Sequence, residues 1–364
     1  GYFFPPDPTE TNCFIGGVIA TNASGGKSFK YGATRNFVLE IEIILSDGEI
    51  LELKRGKNFA KGDALELSTK SGKKIKIELP EIKSPEVKNA AGYFCKSNMD
   101  AIDLFIGSEG TLGVITKAKL KILTLPVELI SFVAFFNSEE DGLSFVDAVR
   151  TQTLLNNNSG NISARAIEYF DKNSLIFLSE DYPEVDCASA CGVWIEQEVT
   201  ENNFDLLIEK WYDLIKKFNA NDEKVWIGFD EKDKKKLKEF RHAISYKVNE
   251  YISKNNFRKL GTDTAVPDNN FKIFYFNSKK IVEENKLNYV AYGHFGNSHL
   301  HLNILPKDDS EFLVAKKIIA QICSEAVRLN GTVSAEHGIG KLKKNYFQMM
   351  YNENTINKLF EIKK

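Results

Sequence analysis

No stretch of this 364-residue sequence approaches the ~20 consecutive apolar residues that span a bilayer. The opening GYFFPPDPTE also lacks the basic-then-apolar form of a secretory signal. Cysteine is sparse: Cys13, Cys95, Cys187, Cys191 and Cys323 are dispersed, odd in number and free of any CxxC pair. That argues against a disulfide framework or a thiolate zinc site. Cys187 and Cys191 are expected to be small buried hydrophobes. A reducing, cytoplasmic setting fits this usage, with peripheral attachment to the inner face of a membrane left open. Neither charge sign is in excess, with 48 Lys plus Arg against 50 Asp plus Glu and a net charge of −2. Nucleic acid is therefore not an expected partner, because it demands a concentrated basic surface. The lysines of EKDKKKLK, residues 231–238, are interrupted by acids and read as a solvated helix face. There is no GxGxxG and no GxSxG elbow, and Gly26-Lys27-Ser28 has Thr21 where a GxxxxGK[ST] phosphate loop needs its first glycine.

Glycine and alternating patterns organise what is present. Residues 15–35, IGGVIATNASGGKSFKYGATR, have too little apolar periodicity for a helix and too many glycines for a plain strand. They read as a loop system that lets backbone approach another body. Residues 37–54 alternate apolar and charged side chains around Asp47-Gly48, predicting a β-hairpin. Residues 101–123 give an apolar run, the loop GSEGT and a strand. The texture changes at Pro126, which sets two domains, 1–126 and 127–364. In the second, strands are expected at 129–136, 164–170 and 191–199, helices at 139–155, 204–218 and 234–252, and a loop at 156–161. This mixture without a long parallel series implies an α+β fold. From residue 288 the chain reads strand, turn, strand, followed by a helix at 310–329, the loop GTVSAEHGIG and a short helix from 341.

The chain has five histidines, and His294, His299 and His301 fall within GHFGNSHLHLN. On the second strand His299, His301 and Asn303 alternate onto one face, and His294 can meet them across the turn. Two imidazoles on neighbouring strands suit a divalent metal. Glu336 in SAEHGIG is the best charge-balancing ligand, and His337 beside it is free to take a proton. The alternative, that all four histidines are hydrogen-bonded core or turn residues, has equal standing on these residues alone. Ser108, Thr111 and neighbouring backbone N–H groups either cradle an anion or form a simple turn. Arg241, on a predicted amphipathic helix, either grips a carboxylate bidentately or is a surface charge.

Six segments in order resemble the FAD-linked oxidase family of vanillyl-alcohol-oxidase (PCMH) type. They are PPDP, GGVIATNASGGKSFKYGATR, VLEIEIILSDGEIL, GSEGTLGVIT, GHFGNSHLHLN and GTVSAEHGIGKLK. The nearest members are D-lactate dehydrogenases, the glycolate oxidase flavoprotein subunit and D-2-hydroxyglutarate dehydrogenase. The resemblance implies an α+β, PCMH-type FAD-binding domain, incomplete at its N-terminus, followed by a substrate domain with an antiparallel sheet covered by helices. By the same resemblance Pro6, Asp7, Gly16, Gly17, Ala20, Asn22, Ala23, Ser24, Gly25 and Tyr31 contact FAD. So do Gly107, Ser108, Glu109, Gly110, Thr111, Gly113 and Ile115. His294, His301 and Glu336 become ligands of a divalent metal, zinc first, with manganese or iron as alternatives.

His337 becomes the catalytic base, Arg241 the holder of a substrate carboxylate, and Asn303 a residue beside substrate and flavin. The implied reaction is FAD-dependent oxidation of a small D-2-hydroxy acid, with electrons passed to a quinone, cytochrome or electron-transfer protein. A homodimer is allowed. The alternatives are a metal-independent flavin enzyme of the same fold acting on an alcohol or aldonolactone, or a flavin-free subunit. Three departures from the family motif matter. Asn297 stands where it has an acid, His299 where it has asparagine, and Ala335 where it has glycine. The family's glycine-rich pyrophosphate loop and NPG tail are also absent from the 364 residues, so a partial chain is expected.

Overall fold

Alternating apolar and charged residues build the first sheet. Val38–Ile44 pairs antiparallel with Ile50–Lys54 on one side and Val114–Leu120 on the other. The turn at Asp47-Gly48 works because Gly48 takes φ +84°. A second hairpin, Ala64–Ser68 with Lys74–Glu78, was not anticipated. Its alternation lies within a lysine-rich stretch that reads as surface. Ile41, Ile43, Leu51, Leu53, Leu65, Leu67, Ile102 and Phe105 share one core, joined by Leu359 from the terminal helix Glu353–Lys363. This computed structural model describes residues 1–8, 12–155 and 160–364. The loop expected at 156–161 therefore lies in part outside the described residues.

The glycine-rich segment at 15–35 is not wholly loop. Ile15–Ala20 is helical and Ser28–Tyr31 forms one further helical turn. Two glycines cost this short helix about 1 kcal/mol each in propensity. Burial of Val18 and Ile19 offsets that cost, and Gly16 lies so near the Ile115 carbonyl that a Cβ would sit 3.2 Å from it. Tertiary packing decides the conformation here.

Beyond residue 126 an eight-stranded antiparallel sheet dominates. Its main path runs Trp226–Ile227, Glu128–Phe136, Cys191–Val199, Ala164–Asp171, Tyr289–Gly293, His299–Ile304, Leu260–Gly261. Thr264–Ala265 pairs separately with the His299–Ile304 strand. Both faces are covered, which explains why its central strands are nearly continuous in apolar residues. Phe132, Ala134 and Phe136 join Phe145, Trp211, Phe274 and Ile318 on one face. Val133 and Phe135 join Leu175, Leu237, Phe240 and Ile244 on the other. The α+β expectation is met, and the predicted helices appear at Glu139–Leu155, Phe204–Lys217, Glu231–Lys254 and Asp309–Arg328. The helices Lys172–Ser179 and Asp268–Glu284 were not foreseen. The second is aromatic-rich (FKIFYF) and lacks a side-chain N-cap, which hides its start. Cys191 is buried as expected, whereas Cys187 is exposed in the loop before its strand.

Gly293 ends the strand that carries the first histidine, at φ +151°. A Cβ there would run into the His299 carbonyl oxygen and sit 3.2 Å from the His301 nitrogen, both backbone atoms that cannot swing away. Gly293→Ala is therefore expected to force the two histidine strands apart and destabilise the fold by about 1–3 kcal/mol. Urea unfolding checks this, and an unchanged midpoint would refute it.

Candidate metal and substrate site

The histidine motif folds as read, strand–turn–strand. Tyr292 pairs with His301, and a short 3-10 turn at Phe295–Asn297 reverses the chain. Ser298 takes φ +50°, and the Asn297 N–H donates to the His294 carbonyl at 2.9 Å. This reversal sets the His294 ring 5.5 Å from His301 and 5.3 Å from His299, while His299 and His301 lie 4.3 Å apart. The loop carrying Glu336 is held by backbone bonds from Thr332 N to Ala265 O (2.8 Å) and Ala335 N to Asp263 O (2.7 Å).

Glu336 Oε1 lies 3.3 Å from His294 Nε2 and 3.3 Å from His301 Nε2. Those separations match the edge, about 3.3 Å, of a tetrahedron whose corners lie ~2.0–2.1 Å from a central zinc. The four side chains His294, His299, His301 and Glu336 bring one donor atom each within 4.8 Å of one another. His337 stacks on His301 at 5.4 Å with its side chain 56% exposed, its Nε2 3.6 Å from Glu336 Oε1. The donor set and spacing fit a divalent cation. Burial pushes the His299 and His301 imidazoles below their ordinary range, so both are neutral and keep a lone pair. Glu336 is held well below the carboxylate range: burial opposes its charge, but Lys88, His294 and His299 outweigh it.

Three charged residues complete the cluster without having been foreseen. Glu168, on the Ala164–Asp171 strand, sits 2.8 Å and 2.9 Å by its two oxygens from His294 Nδ1 and accepts from Arg241 Nη2 at 3.2 Å. An ionised Glu168 places the proton on Nδ1 and turns Nε2 toward Glu336. Asp263 is 1% exposed and receives the Ser334 hydroxyl (2.8 Å), the His337 N–H (3.0 Å), the Lys343 ammonium (2.6 Å) and His299 Nε2 (2.8 Å). Lys88 donates to Glu336 Oε2 at 2.6 Å, with both side chains under 10% exposed. An acid within the buried run AIEYF was the one available signal for Glu168. Asp263 and Lys88 carry no local signal at all.

Arg241 is buried on the inner side of its helix rather than exposed, which corrects the surface-charge reading. It and Asn303 line a cavity of about 450 Å³ together with His294, His301, Glu336 and His337. Lys259 is on the same wall, 3.3 Å from Asn249 Oδ1.

The two glycine-rich segments come together. Gly107 N donates to Ile19 O at 3.0 Å and Glu109 N to Ala20 O at 2.7 Å. Asn22, at φ +47°, accepts from Arg35 N. Ala23 O takes the Thr34 hydroxyl, and Ser24 is buried. Gly25 packs on the Asp7 carbonyl beside Pro6, and Asp7 pairs with Lys27 at 2.6 Å. Gly17 has open space where its side chain would be. Thr111 bonds Ser108 O at 2.6 Å, Gly110 takes φ +72°, and Gly113 packs on Ile43, which pairs with Ile115. The Tyr31 hydroxyl is buried without a partner, an orphan that suits a polar ligand beside this loop.

Both segments also reach the histidine cluster. A Cβ on Gly26 would overlap the Glu168 carboxylate and lie 2.7 Å from Arg241 Nη2. Glu109 accepts from Ile339 N and Gly340 N, both at 2.7 Å, so its carboxylate is spent on the Glu336 loop.

The family of FAD linked oxidases, C-terminal domain, matches residues 131–364, and an FAD binding domain family matches residues 1–54. The chain belongs to the FAD-linked oxidases. Its similarity to a D-lactate dehydrogenase of Anaerostipes hadrus is 26% identity, covering 95% of this chain and 65% of that protein. The glycolate oxidase subunit GlcD of Bacillus subtilis (strain 168) is 26% identical, covering 100% and 68%. A D-2-hydroxyglutarate dehydrogenase of Stutzerimonas stutzeri is also 26% identical, covering 96% and 66%. The chain thus spans about two thirds of the length of these relatives. Among solved structures, an alkyldihydroxyacetonephosphate synthase matches with TM-score 0.58 at 16% identity, covering 99% of this chain and 60% of that one. A p-cresol methylhydroxylase with substrate bound matches with TM-score 0.55 at 13% identity, covering 87% and 61%. These two share the fold. Among the described residues, no helix is long and apolar enough to cross a membrane.

Burial opposes ionisation of Glu168, but Arg241 and His294 outweigh it and lower its pKa from 4.5 to about 2. A carboxylate depressed in the folded state stabilises it above the unfolded pKa, and that stability is lost as pH falls from about 4.5 toward 2. Glu168→Gln strands a buried guanidinium and is expected to cost about 3–5 kcal/mol at neutral pH. It should also flatten this part of the acid limb in a series of urea melts. A variant as stable as the parent, with the same acid limb, would show the charge to be dispensable.

Proposed function

We propose that this protein is an FAD-dependent dehydrogenase of small D-2-hydroxy acids, with the 1–126 region serving the flavin and the 127–364 region carrying the substrate site. The observation that carries the reading is Glu336 at equal distances from the Nε2 atoms of His294 and His301, on the wall of a cavity that also holds Arg241, Asn303 and His337. The relatives named for D-lactate, glycolate and D-2-hydroxyglutarate support the substrate class.

His294, His301 and Glu336 would hold a divalent cation, which would supply Lewis acidity at a substrate hydroxyl, and FAD would supply the hydride acceptor. The chain's own groups do the rest. Arg241, held through Nη2 by Glu168 and set beside the His242 ring at Nη1, supplies the positive charge for the substrate carboxylate. Asn303 offers an amide on the same wall, next to Gly261, whose missing side chain leaves room for it. His337, exposed to the cavity and anchored through its backbone N–H to Asp263, takes the hydroxyl proton. A quinone, cytochrome or electron-transfer protein would be the electron acceptor.

Lys88 favours a second reading. Its ammonium already neutralises Glu336 at 2.6 Å, which a metal-independent relative acting on an alcohol or aldonolactone would require. Metal analysis of the purified protein separates the two readings.

The direct test uses protein expressed from the complete reading frame, a panel of D-2-hydroxy acids and an artificial dye acceptor. His337→Ala is expected to lower kcat by roughly 10²–10⁴-fold while metal content stays at the parent level. Oxidation of every acid at the parent rate would remove His337 as the base.

A further inference from the structure

His299 stands where the family motif has asparagine, and its surroundings show what the imidazole adds. The ring is fully buried, with Nε2 2.8 Å from Asp263 Oδ1. Asp263 also receives an ammonium, a hydroxyl and a backbone N–H, so it is ionised and can only accept. The shared proton therefore sits on Nε2, and Nδ1 carries a bare lone pair. That Nδ1 is buried with no hydrogen-bond partner. Leaving a buried acceptor without a donor is destabilising, and a cation ligand would relieve that cost. Nδ1 lies 4.0 Å from Glu336 Oε2, the His299 and His301 ring centroids are 4.3 Å apart, and one donor atom from each of His294, His299, His301 and Glu336 falls within 4.8 Å of the others. His294 Nδ1 is bound to Glu168 in the same manner, so two imidazoles each hold a carboxylate at one nitrogen and turn the other inward. Carboxylate–histidine pairs of this kind orient imidazole ligands and raise their basicity.

Given the cation site proposed above, we infer that His299 Nδ1 is a fourth protein ligand. The donor set becomes three imidazoles and one carboxylate, with Asp263 as the positioning residue behind His299. Such a set suits zinc over manganese or magnesium, which favour oxygen donors. Four protein donors also hold the cation more tightly and leave fewer positions for a substrate oxygen than three do.

Cobalt(II) serves as the probe, titrated into metal-stripped protein from the complete reading frame, with affinity read from its visible absorption. His299→Asn, which restores the family's residue, is expected to weaken cobalt binding at least tenfold. That lower bound is the typical 10–100-fold loss when only an outer partner of a ligand is removed. His301→Ala is the reference for a lost ligand. Proton NMR of the cobalt-loaded parent needs no variant. Each ligating imidazole contributes one exchangeable ring N–H in the paramagnetically shifted region, so three such signals are expected, and zinc should displace cobalt where manganese does not. Two signals, with cobalt affinity unchanged in His299→Asn but weakened in His301→Ala, would overturn the role of His299 and leave the cation site intact. No cobalt uptake by the parent would overturn the cation site and this inference together.

Discussion

Three carboxylates, Glu168, Asp263 and Glu336, are buried within one cluster of imidazoles, and everything around them answers to that charge. Each buried ion loses several kcal/mol of hydration, which only close counter-charges and donors return. Glu168 has Arg241 and His294, Asp263 has Lys343, Ser334 and the His337 N–H, and Glu336 has Lys88 with two histidines near it. The partners come from four separated stretches of chain, at 88, 241, 294–301 and 334–343, so the cluster exists only in the finished fold. Removing any one charge leaves another stranded.

The same cluster joins the two halves of the molecule. Gly26 touches Glu168 and Arg241 from the first glycine-rich segment, and Glu109 ties down Ile339 and Gly340 from the second. Asn297 faces the Ser28 hydroxyl at 3.2 Å, and Gly296 leaves room for the Phe29 ring. The two glycine-rich segments therefore touch Glu168 and Arg241, which line the cavity, and the loop that carries Glu336. The proposed hydride transfer needs such adjacency, since reacting atoms must approach within ~3–3.5 Å.

Much of this was legible in the chain, for identifiable reasons. Strands such as Cys191–Val199 and helices such as Glu139–Leu155 announce themselves by period. The strand–turn–strand of the histidines followed from alternation around FGNS, which fixed which imidazoles could meet. The glycine-rich helix at Ile15–Ala20 was hidden because packing, not propensity, decides it. Arg241 looked like a surface charge because its helix is lysine-rich, and only the sheet beneath shows which side is inward. Asp263 and Lys88 were invisible because nothing adjacent in sequence marks them. Their roles arise from contacts 36 to 248 residues away.

The proposed chemistry depends on Glu336 and its imidazoles holding a cation. Anomalous diffraction collected on either side of the zinc absorption edge, from crystals of the zinc-loaded protein, tests it most directly. A single peak bounded by His294, His299, His301 and Glu336, with Lys88 withdrawn from the Glu336 oxygen that faces it, is the expected result. No peak there, with the Lys88–Glu336 pair intact in protein that oxidises a D-2-hydroxy acid, would contradict it.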